Sequence, residues 1–295
     1  MPNRFSGKQG CGTARHLHQL VHRFVLELDS FLQKPVESSE WKRIVPGSTG
    51  HSEATYTVRA ARTFLLRTYH QLNAIGLLSL NGMAAQAKLQ LRSLVEIAID
   101  FRYMATNPND LSRLYLLHRG FSLWNDGNDL LKDGEKLPPK SRKGLELLEP
   151  EKNDFLALKE TTEGPTKSNQ RSQKSWSRHV LHWRAKKGNE HFKDSQDLHR
   201  LYKLLSVSSH GEARCLKDYI IEVNGSLSLR LCPSWHLEVY VLYFSLVSAT
   251  QIFLAAREIG APIRPDVLHF DIGLDQTDID QLMEYEGLIE SVCVD

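Results

Sequence analysis

Residues 87–104, AKLQLRSLVEIAIDFRYM, constrain the fold of this chain more than any other stretch. At 3.6 residues per turn, Arg92, Glu96, Asp100 and Tyr103 fall within about 80° of one another, while Leu89, Leu91, Leu94, Val95, Ile97, Ile99 and Phe101 cover the remaining faces. A helix that is apolar nearly all round is a buried helix. An ionised group left buried and unpaired costs several kcal/mol, so the single polar stripe must meet partners inside the protein or line a cleft. The stripe is therefore the first candidate site. Arg92 and Glu96 stand one turn apart and are expected to pair, an arrangement that serves equally as a structural ion pair.

A second stripe lies in residues 194–210, DSQDLHRLYKLLSVSSH. Tyr202, Ser206 and His210 recur every four residues, with His199 and Ser209 near the same line, beside an apolar face of Leu198, Leu201 and Leu205. Packing the two stripes face to face satisfies both sets of polar groups at once.

The rest of the chain reads as helix. Residues 13–33 repeat Leu17, Leu20, Val21, Phe24, Val25 and Leu28 at three- and four-residue spacing, and Pro35 ends them. His18 and His22 have the one-turn spacing of metal ligands and His16 is nearby, but no carboxylate or cysteine completes a set. A second helix covers 53–80 and stops at Asn81-Gly82. Asn107-Pro108 opens a fourth helix carrying Arg113 and His118, about 140° apart around the axis. A polar loop over 132–143 and a broken helix follow. Residues 161–175, with Lys167, Arg171 and Lys174 and no large apolar side chain, read as a mobile surface loop. Trp176 and Trp183, seven residues apart among Arg178, Arg184, Lys186 and Lys187, are expected on one helical face, where they pack a short helix or stack bases.

Asn224-Gly225 between two alternating runs signals one small β-hairpin near 218–231. A long helix follows from about 235 to 259, closed by Gly260, Pro262 and Pro265, and an acidic helix over 275–292 ends the chain. The expected fold is an all-α helical bundle with that one hairpin, divided as 1–50 (N-terminal helix and loop), 51–260 (main helical domain) and 261–295 (helical tail).

Composition narrows the function classes. Lys plus Arg, 37, nearly cancel Asp plus Glu, 35, so no whole-molecule charge argues for nucleic acid. Cys11, Cys215, Cys232 and Cys293 show no Cys-x-x-Cys spacing, which sets aside a zinc knuckle and a disulfide framework and points to reduced thiols in a cytoplasm. The most apolar long segment, 239–256, is interrupted by Tyr240, Tyr243, Ser245, Ser248, Thr250 and Gln251, and reads as a core helix, with no membrane implied. Hydrolysis by Ser206 with His210 lacks a Gly-x-Ser-x-Gly elbow and a third triad member.

The run LRSLVEIAIDFRY, followed about a hundred residues on by YKLLSVSSHG, resembles a widespread bacterial family of uncharacterised helical proteins. That family's pattern is Leu-Arg-Ser-Leu-x-Glu with a downstream aromatic, then Tyr, Ser and His-Gly at Tyr202, Ser206 and His210-Gly211, and the resemblance covers roughly residues 50–260. An arginine and a glutamate one turn apart on an apolar helix are also a feature of the HEPN group (higher eukaryotes and prokaryotes nucleotide-binding), helical domains that often act as metal-independent ribonucleases in toxin and antiphage systems. Their nucleases carry an arginine, four to six residues, then a histidine, which Arg113 and His118 match. The resemblance implies a HEPN-like endoribonuclease without cofactor or metal, acting on RNA as a homodimer. His210 or His118 would be the acid/base and Arg92 or Arg113 the phosphate holder, with Glu96, Tyr202 and Ser206 beside them. The other expectation is a non-catalytic binding or scaffold protein in which Arg92, Glu96 and His210 form a buried polar network.

Overall fold

The computed structural model describes residues 8–33, 51–132, 138–163, 175–177, 179–193, 198–209, 220–223, 226–229 and 235–261. Within them the protein is helical: α1 (Lys8–Gln33), α2 (His51–Leu80), α3 (Ala84–Ala105), α4 (Pro108–Lys132), α5 (Pro139–Glu163), α6 (Leu181–Phe192), α7 (Leu198–Ser209) and α8 (Trp235–Glu258). Ile220–Val223 (β1) and Ser226–Leu229 (β2) pair antiparallel, with Val223 opposite Ser226. His210 and Gly211, most of the 161–175 segment and the acidic stretch over 275–292 lie outside the described residues.

Helix α3 lies at the centre, touching α2, α6, α7 and α8. Leu91, Leu94, Val95, Ala98 and Phe101 are fully buried in a core shared with Leu17, Phe24 and Leu28 of α1, Phe64 and Leu65 of α2, and Val241, Leu242 and Leu246 of α8. Phe64 stacks on Phe101 with ring centroids 4.8 Å apart, tying α2 to α3. Helix α8 is long and apolar enough to cross a membrane, yet 83% of its most apolar stretch is buried inside the protein, against α1, α2 and α3. His18 of α1 reaches Glu238 of α8 at 2.8 Å, so this histidine has a structural partner.

The glycine stops act through backbone bonds. Gly82 takes φ 71°, the Met83 N–H donates to Leu78 O at 2.8 Å and the Gly82 N–H to Ser79 O at 2.9 Å, a Schellman closure of α2. Gly260 closes α8 the same way, with φ 84° and the Ala261 N–H on Ala256 O at 2.8 Å.

Two readings of the sequence are corrected. Residues 139–163 form one helix with Pro150 inside it, not a broken helix, and it starts at Pro139, within what reads as loop; α5 lies along α4, whose packing holds it together past the proline. Trp176 is not on the helix that carries Trp183, because α6 begins only at Leu181 and Trp176 sits in a non-helical approach to it. Gly188 then brings α6 close to α3: a Cβ there would stand 3.1 Å from the Arg102 Cβ.

Candidate functional site

The polar stripe of α3 finds partners at both ends, on different helices. At its N-terminal end Arg92 reaches α7. Its Nη2 donates to Tyr202 Oη at 2.9 Å and its Nε to Ser206 Oγ at 3.1 Å, with the guanidinium carbon 5.0 Å from the centre of the Tyr202 ring. Ser206 Oγ in turn donates to the Tyr202 carbonyl at 2.7 Å, which fixes its rotamer so that its oxygen lone pairs accept from Arg92. The four-residue spacing on α7 is what places both acceptors on one line. Arg92, Glu96, Tyr202 and Ser206 are all half-buried, so this end of the stripe touches water.

At the C-terminal end Asp100 is buried. Arg184 of α6 contacts one carboxylate oxygen through Nη1, and the Trp176 indole N–H donates to the other at 3.1 Å. Burial pushes the Asp100 carboxyl up, against the pull of the Arg184 cation and the Trp176 hydrogen bond. One turn on, Tyr103 Oη donates to Glu163 at 3.2 Å and Ser177 Oγ donates to the same carboxylate oxygen at 2.6 Å. Burial, with the Glu163 charge beside it, holds the Tyr103 hydroxyl well above the ordinary phenol range. Tyr103 also packs among Trp176, His179 and Trp183, with ring centroids 5.7, 6.1 and 5.6 Å away.

Glu96 lies between these ends. No ion pair joins it to Arg92 among the described residues, because the Arg92 guanidinium goes to Tyr202 and Ser206 instead. Burial and then the negative charge of Asp100 push its carboxyl up, while the charges of Arg184, Arg92 and Arg67 pull it down by less. A carboxyl shifted this way can hold or give up a proton closer to neutrality than an ordinary glutamate.

The Arg113–His118 pair does not converge. Arg113 is exposed, 6.0 Å from the Tyr56 ring, whereas His118 packs against Phe121 and Phe155 on the side of α4 that faces α5. His210 follows the last described residue of α7, Ser209. The sequence singles out Trp176 and Arg184 for packing or base stacking, not as the partners of Asp100, and gives no sign of Glu163 and Ser177. The signal available was Asp100 itself, a buried carboxylate that required a donor; which of the many cations supplies it is set by tertiary packing. No group of three or more metal-ligating side chains gathers among the described residues.

These features describe a helical protein with a polar seam where α3 meets α6 and α7. The chain belongs to the Family of unknown function (DUF5677), whose profile matches residues 58–227, a span that includes both stripes. No curated protein and no solved structure matches the chain.

Proposed function

We propose that the protein is a HEPN-like, metal-independent endoribonuclease of the kind used in toxin or antiphage defence, working as a homodimer, with its centre on Arg92, Glu96, Tyr202, Ser206 and His210. The observation that carries the reading is the half-exposed Arg92 guanidinium held by Tyr202 and Ser206, with an acid of raised pKa one turn along the same helix. Metal-free RNA cleavage needs a base for the 2′-hydroxyl, an acid for the departing 5′-oxygen and a cation on the phosphate. Arg92, fixed by neutral acceptors instead of a carboxylate, keeps its charge available for a phosphodiester. Glu96 supplies one proton-transfer group and His210, four residues after Ser206 in the sequence, the other, since a histidine exchanges protons near neutral pH. The 2′-oxygen attacks phosphorus, the P–O5′ bond breaks, and the products are a 2′,3′-cyclic phosphate and a 5′-hydroxyl.

The scaffold reading draws on the other end of the stripe. Asp100, Arg184 and Trp176 form a dry network suited to fixing helix register, and a protein using only that end would need no chemistry. Expression of wild type and His210→Ala in bacteria separates the two: the nuclease arrests growth and degrades RNA only in the wild type, and intact RNA under every condition favours the scaffold.

A further inference from the structure

His182 of α6 and His199 of α7 face each other through their Nδ1 atoms at 3.0 Å, with ring centroids 4.5 Å apart and ring planes inclined by 52°. His182 is exposed and His199 half-buried, so the pair is reachable from water. Neither residue takes part in the Arg92 or Asp100 contacts, and the arrangement has a chemistry of its own. Two imidazole nitrogens can share a proton at this distance, but they can also share a cation. With metal–nitrogen bonds of about 2.0–2.1 Å, nitrogens 3.0 Å apart subtend about 94° at the metal, close to the octahedral angle and within a small ring rotation of the tetrahedral one.

We propose that His182 and His199 form a binding site for a borderline divalent transition-metal ion such as Zn²⁺, which joins α6 to α7 through the two Nδ1 atoms. Neutral imidazole suits zinc, copper and nickel, whereas magnesium and calcium take oxygen ligands and are not expected here. No third histidine, cysteine or carboxylate joins the pair among the described residues, and a site with two imidazole ligands binds more weakly than a closed four-ligand zinc site. The ion's place in the fold gives it a role. Helix α6 carries the Arg184 that holds Asp100, and α7 carries the Tyr202 and Ser206 that hold Arg92. A metal across the two helices fixes one end of the α3 seam against the other. This inference does not depend on the nuclease reading.

The test uses the full, tag-free chain and two readouts. Zn²⁺ in about hundredfold excess over its Kd should raise the melting temperature by several degrees in wild type and in His191→Ala, a control at another surface histidine, but not in His182→Ala or His182→Gln; Mg²⁺ should have no effect in any of them. Cu²⁺ bound to the wild type should give an electron paramagnetic resonance spectrum with coupling to two imidazole nitrogens, reduced to one in either His182 variant. His182 is exposed, so both variants are expected to fold, with circular dichroism as the check. A Zn²⁺ shift of full size in the His182 variants, an equal shift with Mg²⁺, or a copper spectrum without the two-nitrogen pattern overturns the proposal. Loss of RNA cleavage with metal binding intact, or the reverse, separates this site from the Arg92 centre.

Discussion

Arg92 and Asp100 stand two turns apart on the same face of α3, and their surroundings treat them in opposite ways. Asp100 is sealed: an arginine takes one oxygen, an indole takes the other, and 6% of the residue is exposed. Arg92 is held by two neutral hydroxyls and left half-exposed. A charge paired with a charge in a dry site is a structural device, because removing either partner strands the other in low dielectric. A charge held in place by neutral acceptors at the edge of water still has its field to offer to a ligand. One helix face therefore carries a sealed end and an open end, with Glu96 between them.

The largest effect should come from the sealed end. Asp100→Ala leaves the Arg184 cation buried without its carboxylate and is expected to cost about 3–5 kcal/mol in chemical denaturation. Trp176→Phe removes one hydrogen bond to that carboxylate and should cost about 1.5–3 kcal/mol. At the open end, Tyr202→Phe deletes one hydrogen bond with water able to replace it, and about 0.5–1.5 kcal/mol is expected by the same measurement. Equal losses for Asp100→Ala and Tyr202→Phe would erase the distinction between the two ends.

The smallest effect is a matter of sign. Burial raises the Glu96 carboxyl above its ordinary value of 4.5, so the folded state binds that proton more tightly than the unfolded chain does. The associated stability is fully present below the unfolded value and is lost as pH rises through the folded one. Glu96→Gln should therefore be more stable than wild type at pH 8, and the gap should close as pH falls below about 4.5. A gap that instead widens in acid would mean that Glu96 is stabilised as an anion, by a partner outside the contacts described here.

The contrast between the two ends also marks what the sequence could disclose. The periodicity of residues 87–104 was enough to show a buried helix with one polar face, and the four-residue repeat of Tyr202 and Ser206 was enough to show what could meet it. Asn81-Gly82 and Gly260 marked helix ends because a left-handed residue there has a local cause. Arg92–Glu96 misled for a physical reason. One-turn spacing makes a pair possible, but a four-bond side chain chooses between a neighbour on its own helix and acceptors on another, and only packing decides. Trp176 and Arg184 were hidden in the same way. Seven-residue spacing suggested that Trp176 and Trp183 shared a helix, whereas the chain reaches Asp100 through a non-helical segment before α6 begins. The separation of Arg113 from His118 was visible in the 140° between them.

The central claim is that the open end of the stripe is chemical, and cleavage of a labelled single-stranded RNA in EDTA by purified wild type and Arg92→Ala tests it most directly. The account predicts that the wild type releases fragments ending in 2′,3′-cyclic phosphate, and that Arg92→Ala, folded and within about 1 kcal/mol of wild-type stability, releases none. Folded Arg92→Ala cleaving at the wild-type rate, with His118→Ala inactive in the same assay, would contradict it and move the site to α4.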